Sequence, residues 1–185
     1  MLNNSRVTAI VVAGGMGTRM QAQVPKQFML LGSRPVVQWS LECFNRLDLV
    51  DEIILVLPAD RIDEGKSLLS DFAADKPFRV VAGGERRQDS VSNGVRTAGE
   101  GWVMVHDAAR PGMTPELARA ALLIADQKGN AVCAVSAVDT LVRVGNGKIV
   151  APLDRNEIYR LQTPQIFRRD ELFMALEHAD TNNLV

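Results

Sequence analysis

The chain has 185 residues, of which 46% are hydrophobic and 23% are charged. This composition is ordinary for a globular protein, and the length allows one domain, 1–185, with a sizeable core. The 21 basic and 22 acidic side chains give a formal net charge of −1. This balance excludes a strong overall field for attracting nucleic acid or an anionic membrane, so any anion site must be local.

No targeting or membrane segment is visible in the sequence. The first apolar run, Val7–Val12, is too short for a signal peptide or a membrane span. Cys43 and Cys133 lie in apolar segments without metal-ligand spacing, which favours buried, reduced thiols. We therefore expect a cytoplasmic protein that has no membrane or nucleic-acid partner.

In chain order, buried strands alternate with amphipathic helices. Strands are predicted at residues 7–13, 52–57, 78–82, 102–105 and 131–137. Helices are predicted from Pro35, at 61–74, between a cap at Asp89 and Gly99, between Thr114 and Gly129, and at 170–179. This alternation predicts an α/β fold in which helices cover both faces of a mostly parallel twisted sheet, with right-handed crossovers.

The pattern changes after residue 137. Two short β-prone runs, 140–144 and 148–152, flank Gly145-Asn146-Gly147, as is typical of an antiparallel hairpin. The apolar residues of this hairpin have little in the chain to cover them. We therefore expect a projecting arm at about 139–160 that pairs with a second copy in a C2 homodimer. An edge extension of the main sheet is the alternative.

A glycine-rich loop, 13–20, follows the first strand directly. Its glycines leave backbone N–H groups open to a phosphate or a base edge, and two cations, Arg19 and Lys26, follow. We interpret the loop as the site of a nucleoside triphosphate that is attacked at its α-phosphate, although a structural glycine turn is the alternative. A P-loop is disfavoured because no Gly-Lys-Ser/Thr follows the glycines of this loop, and the dinucleotide fingerprint of a Rossmann oxidoreductase is disfavoured by Met20 at the third glycine position.

Two further segments follow strands in the same way. Gly83-Gly84-Glu85-Arg86-Arg87-Gln88-Asp89-Ser90 is either a second ligand loop or a plain turn with solvated charges. In His106-Asp107-Ala108-Ala109-Arg110-Pro111, Asp107 suits Mg²⁺ and Arg110 suits an anion. An internal Asp107–Arg110 pair that braces the loop is the alternative, and His106 is expected to be structural.

In this order, the motifs resemble those of the 2-C-methyl-D-erythritol 4-phosphate cytidylyltransferase family. The matching segments are Ala-Gly-Gly-Met-Gly-Thr-Arg-Met with Pro-Lys-Gln-Phe, Gly-Gly-Glu-Arg-Arg-Gln-Asp-Ser-Val, His-Asp-Ala-Ala-Arg-Pro, Asp139-Thr140, Asp154-Arg155-Asn156 and Gln-Thr-Pro-Gln-Ile-Phe. The resemblance implies a Rossmann-like fold of the nucleotide-diphospho-sugar transferase type. It also implies transfer of a cytidylyl group from CTP to the polyol phosphate with Mg²⁺ as cofactor, in the non-mevalonate pathway of isoprenoid synthesis.

The resemblance also implies roles for individual residues. Arg19 and Lys26 would contact the triphosphate and stabilise charge on the α-phosphate, and Arg155 from the arm of a second subunit would position the attacking phosphate. Asp107, Arg110, Thr140 and Arg155 would hold the acceptor, and Asp107 would also hold the metal. The expected nucleotide-binding residues are Ala13, Gly14, Gly15, Gly17, Thr18, Gly83, Gly84, Ser90, Asp107 and Ala108.

Two departures from the family pattern limit what is carried over. Glu85 stands where a shorter residue is expected in the base pocket. The family also continues with a Thr-Asp-Glu segment and a Lys-containing strand at the acceptor site, so we expect that the chain is truncated after Val185. A ribitol-5-phosphate cytidylyltransferase and a non-catalytic nucleotide-binding module remain as alternatives.

Overall fold

The computed structural model describes residues 2–14, 25–72 and 74–184. The strands are β1 (Val7–Val12), β2 (Leu30–Leu31), β3 (Arg34–Pro35), β4 (Glu52–Leu57), β5 (Phe78–Ala82), β6 (Trp102–Asp107), β7 (Ala131–Ser136), β8 (Val142–Gly145), β9 (Lys148–Pro152) and β10 (Tyr159–Arg168). The helices are α1 (Val36–Arg46), α2 (Ile62–Asp71), α3 (Arg87–Thr97), α4 (Pro115–Lys128) and α5 (Arg169–Thr181). None of the helices in these ranges is long and apolar enough to cross a membrane.

The main sheet has six strands in the order β5-β4-β1-β6-β10-β7. β1 pairs in parallel with β4 and with β6, and β4 pairs in parallel with β5. β10 runs antiparallel to both of its neighbours, β6 and β7. The predicted mostly parallel α/β sheet is confirmed.

Helices cover both faces of this sheet because the central strands are apolar on both sides. On one face, alternate residues of β1 and β4 pack with α1 and α4 around Leu41, Phe44 and Leu122. On the other face, Ile10 and Val56 and their neighbours pack with α3 and α5. Two apolar layers therefore hold the central strands rigidly in place.

The chain reverses its direction of sheet growth between β1 and β6. It proceeds outward from β1 to β4 and β5, and then returns to place β6 on the other side of β1. In an open α/β sheet, the crevice at the carboxyl ends of the strands at such a reversal is where ligands bind. Val12 and Asp107 are paired at this edge of the sheet.

The strand β10 was not predicted from the sequence. Its stretch around Thr163-Pro164 lacks clear alternation, and the register with β7 shifts between Leu161 and Gln165. Ile166 is nevertheless fully buried, because β10 lies inside the sheet between β6 and β7.

Several predicted boundaries were wrong by a few residues. The helix predicted at 61–74 ends at Asp71, and the one predicted at 170–179 continues to Thr181. β6 continues through His106 and Asp107, which therefore end the strand rather than follow it. α3 begins at Arg87, so Asp89 lies in its first turn, where its carboxylate accepts the backbone N–H of Arg86 at 2.9 Å. The same helix ends at Thr97, before Gly99.

The predicted hairpin is formed by β8 and β9, which make a separate two-stranded sheet. Asn146 and Gly147 have φ angles of 51° and 73°, as a two-residue turn of type I′ requires. Val144, Ile149 and Val150 are exposed. The alternative of an edge extension was wrong, because the hairpin does not pair with the six-stranded sheet. The arm was expected at about 139–160, but Tyr159 is already the first residue of β10.

Candidate functional site

The first loop leaves β1 through Ala13, whose backbone is held on both sides. Its N–H donates to the Val56 carbonyl at 2.8 Å, and its carbonyl accepts the side-chain amide of buried Gln27 at 2.7 Å. Gln27 lies in a short 3₁₀ helix, Lys26–Phe28. The tether therefore fixes the exposed Lys26 near the start of the loop. Gly15, Gly17, Thr18 and Arg19 lie outside the described residues.

Ser90 joins this loop to the second one. A Cβ placed on Gly14 would lie 2.8 Å from the Ser90 hydroxyl oxygen, and one placed on Gly83 would lie 2.6 Å from it. The same oxygen accepts the N–H of Gly84 at 3.1 Å. A side chain at either position would collide with Ser90 unless Ser90 moved, so glycine allows the two loops to approach each other closely.

Asp107, at the end of β6, lies between two arginines. Arg87 of α3 donates from Nε to Oδ1 at 2.9 Å, and Arg110 donates from Nε to Oδ2 at 3.1 Å. Burial alone would raise the pKa of Asp107, but the two guanidinium groups outweigh it and hold the pKa below its ordinary value. The carboxylate is therefore ionised at neutral pH. The predicted internal Asp107–Arg110 pair is present, and Arg87 is an unpredicted second partner.

His106 is fully buried beside this carboxylate. Its ring lies edge-on to Phe44 at 5.6 Å and contacts the Thr163 hydroxyl at 2.9 Å and the Arg110 carbonyl at 3.2 Å. Burial lowers the pKa of His106 to about 4. The prediction that His106 is a hydrogen-bonded interior residue is confirmed.

Ala108 continues from β6 into the turn and is held by its main chain. Its N–H donates to the Val12 carbonyl at 2.9 Å, and its carbonyl accepts the Ser40 hydroxyl at 3.3 Å. Ala108 is thereby fixed directly beside the end of β1, where the glycine loop begins.

A divalent cation would find one suitable ligand here. Each Asp107 oxygen accepts one arginine hydrogen bond and keeps a second lone-pair direction. Mg²⁺ commonly takes one or two protein carboxylates and completes its shell with water and substrate phosphates. The donor set therefore fits Mg²⁺ only with a phosphate ligand, and no cluster of three His, Cys, Asp or Glu occurs among the described residues.

Two predicted acceptor residues lie apart from this cluster. Arg155 is exposed and donates to the Val138 carbonyl at 3.2 Å, next to the hairpin. Thr140 is also exposed. In the part of the chain that the structure describes, neither side chain forms a hydrogen bond with Asp107 or Arg110.

Several contacting residues escaped prediction because they come from β10. Gln162 accepts from Arg110, Gln165 accepts from Arg87 at 3.5 Å, and Thr163 accepts the backbone N–H of Asp107 at 3.3 Å. A signal was available in the sequence, since these residues belong to the Gln-Thr-Pro-Gln-Ile-Phe segment that resembles the family.

The comparisons with known proteins agree with this geometry. The family model described as IspD, 2-C-methyl-D-erythritol 4-phosphate cytidylyltransferase, matches residues 7–184. The protein of that name from Geobacter metallireducens is 39% identical over 185 residues, which cover 97% of this chain and 80% of that protein. A bifunctional enzyme IspD/IspF from an Anaeromyxobacter species is 41% identical over 97% of this chain, which spans 47% of that relative.

A solved structure supports the same assignment. The 4-diphosphocytidyl-2C-methyl-D-erythritol synthase of Anaerococcus prevotii superposes with a TM-score of 0.83 at 26% identity, over 96% of this chain and 76% of that one. The family model and the Geobacter relative each span most of the chain described above. This chain belongs to the 2-C-methyl-D-erythritol 4-phosphate cytidylyltransferase family and is a nucleotidyltransferase.

Proposed function

We propose that this chain transfers the cytidylyl group of CTP to 2-C-methyl-D-erythritol 4-phosphate and releases pyrophosphate. One observation carries the proposal: the backbones of Gly14, Gly83 and Gly84 meet at Ser90, one helical turn from Arg87, which bonds to Asp107. The bare glycine backbone would receive the base, and the charged cluster would receive phosphates. Both lie at the reversal point of the sheet.

In the proposed reaction, an oxygen of the acceptor phosphate forms a bond to the α-phosphorus. The bond from that phosphorus to the bridging oxygen breaks, and its electron pair leaves with pyrophosphate. The acceptor is a phosphate monoester that carries nearly two negative charges at pH 7, so no general base is needed. The engaged, buried state of His106 accords with such a mechanism.

Catalysis would then depend on positioning and on charge. Lys26 is held near the glycine loop by the Gln27 tether and would neutralise the triphosphate, together with Arg19. Arg110 would bind the acceptor phosphate. Asp107 would hold Mg²⁺, which supplies charge neutralisation at the phosphate oxygens when it is bound.

The hairpin would pair with a second copy of the chain and would bring Thr140 and Arg155 to the partner's acceptor site. Its exposed apolar residues, Val144, Ile149 and Val150, support this proposal, since isolated apolar hairpins are poorly stable in water. A cytoplasmic location is proposed as well, in accord with the two free cysteines.

Pyrophosphate release with defined substrate pairs tests the activity. We expect turnover with CTP and 2-C-methyl-D-erythritol 4-phosphate, and at least about tenfold less with ribitol 5-phosphate or with UTP, because acceptor and base contacts differ. A preference for ribitol 5-phosphate would overturn the assigned acceptor. Binding of CTP without turnover on either acceptor would favour the non-catalytic module.

Lys26→Ala tests the proposed charge. We expect kcat to fall about 100-fold or more, because a cation that stabilises the transferring phosphate is lost. Lys66→Ala is the matched control, since Lys66 is an exposed lysine on α2 that pairs only with Asp63 at 3.0 Å. Equal turnover of the two variants would contradict the role of Lys26.

A further inference from the structure

We propose that Thr163 and His106 form a positioning clamp, which fixes Asp107 and Arg110 relative to each other for the acceptor phosphate. The clamp is a line of three hydrogen bonds that begins and ends on the Asp107–Arg110 loop. The inference rests on the proposed function only in naming the acceptor. Neither Thr163 nor His106 is placed in contact with substrate.

The direction of each hydrogen bond follows from the groups at the two ends. The Asp107 N–H can only donate, so the Thr163 oxygen accepts it. The Arg110 carbonyl can only accept, so His106 Nε2 carries the ring proton. In a neutral ring Nδ1 is then an acceptor, and the Thr163 hydroxyl donates to it at 2.9 Å. All three bonds are satisfied in one arrangement.

The clamp is buried, so the loss of any of its hydrogen bonds is energetically costly. Thr163 is 7% exposed and His106 is 0% exposed. Water cannot replace a lost partner at such positions without rearrangement, so an unpaired group there is costly. The line of bonds therefore favours a single geometry of the loop.

The Asp107–Arg110 loop depends on the clamp because few other hydrogen bonds hold its main chain. Arg110 donates its N–H to the Asp107 carbonyl at 3.0 Å, and Ala108 is held by Val12 and Ser40. These contacts fix the first half of the loop. The His106–Arg110 bond is the tie that fixes the carbonyl of Arg110, at the far end.

The side chains on the loop have opposite charges and distinct proposed roles. Arg110 bonds to Asp107 and to Gln162 of β10, and Thr163 follows Gln162 directly. The irregular stretch of β10 thus contacts the guanidinium of Arg110 and the main chain of Asp107 from the same side. A shift of this stretch would move both charges together, so the clamp predicts that changes inside the sheet affect the acceptor end of the site.

Thr163→Val and Thr163→Ser test the clamp. Valine keeps the shape but removes the hydroxyl, and serine keeps the hydroxyl. We expect amide hydrogen exchange over residues 107–112 to become about tenfold faster in Thr163→Val and to stay within about threefold in Thr163→Ser. Thr97→Val is the control, because the Thr97 hydroxyl donates to the Asn93 carbonyl at the far end of α3.

Kinetics separate positioning from general destabilisation. Measured well below the melting temperature, Thr163→Val should raise the KM for the acceptor about tenfold and lower kcat, while the KM for CTP stays within about twofold. A loss of folded protein would lower the apparent kcat and leave both KM values unchanged. Thr163→Ser should restore the acceptor KM.

His106→Asn is a second variant, in case Thr163→Val fails to fold. Asparagine can accept from Thr163 but is too short to reach the Arg110 carbonyl. We therefore expect faster exchange near residue 110 and retained protection of the Asp107 amide. Unchanged exchange over 107–112 in both variants would overturn the clamp, as would faster exchange with unchanged kinetics. Absence of turnover in the unaltered chain would contradict the proposed function, whereas unchanged exchange in both variants would contradict the clamp whether or not the chain turns over.

Discussion

Ser90 is the single residue at which the two glycine loops meet. Its hydroxyl oxygen accepts from Gly84, donates to the Arg86 carbonyl at 3.3 Å, and limits the space at Gly14 and Gly83. The distance between the loops therefore depends on the absence of side chains rather than on a strong bond. This geometry makes the distance between the two loops sensitive to one added methyl group.

Gly14→Ala should weaken nucleotide binding. The added Cβ would lie 2.8 Å from the Ser90 oxygen, so Ser90 or one of the two loops must move, and we expect the KM for CTP to rise about tenfold. Gly112→Ala is the matched control, because a Cβ at Gly112 meets nothing within 4 Å. A KM for CTP that is equal in the two variants would show that the contact of Gly14 with Ser90 does not affect nucleotide binding.

Site residues that belong to one of the glycine motifs were predicted from the sequence, whereas their partners from distant segments were not. Gly14, Gly83, Gly84 and Ser90 were predicted together and are in contact, because the glycines follow the carboxyl ends of parallel strands and Ser90 lies in the first turn of the helix after β5. Partners of the Asp107 cluster in β10 were missed. The approach of two segments about 55 residues apart depends on strand order, which local sequence patterns do not encode.

At the scale of elements, the parallel strands were predicted well and β10 was not. The apolar runs of β1, β4 and β6 are buried on both faces, so their composition identifies them. β10 contains Gln162, Thr163 and Pro164, whose polarity and missing N–H argue against an interior strand. The register shift in β10 accommodates these residues, and a local pattern does not predict such a shift.

The hairpin β8–β9 gives a test of the proposed dimer. Ile149 is 71% exposed on β9, so Ile149→Asp should introduce a charge into the proposed interface and raise the dimer dissociation constant at least about tenfold. Met174→Asp is the control, since Met174 is a similarly exposed apolar residue on α5. Sedimentation analysis in which both variants match the unaltered chain would contradict the arm interface.

For the whole molecule, the two ends of the sheet have different tasks. The carboxyl ends of the strands carry the candidate site, while Glu52 is buried at the amino end of β4. Its carboxylate lies 2.5 Å from Arg79 of β5 and 3.5 Å from Arg6, just before β1. The ion pairs thus join three neighbouring strands. They lie about 20 Å from the site, because a six-residue strand of about that length separates the two ends of the sheet.

Glu52→Gln should therefore lower stability without changing the site. The variant leaves two arginines without their carboxylate, and we expect the free energy of unfolding to fall by about 1–3 kcal/mol, because the arginines are partly exposed. The KM for CTP should be unchanged. Glu64→Gln, which breaks the exposed pair with Arg61, is the control and should change stability by less than about 0.5 kcal/mol. Equal free energies of unfolding for the two variants, measured by denaturant titration, would contradict the stabilising role of Glu52.

The place of β10 has a consequence for the order of assembly during synthesis. A growing chain has already produced β6 and β7 when the strand that belongs between them emerges. Until then, both strands present unpaired edges, which invite contact with other nascent chains. When β10 pairs with β6 and β7, it also brings Gln162, Thr163 and Gln165 into contact with the charged cluster. The charged cluster is therefore complete only after β10 has paired with β6 and β7.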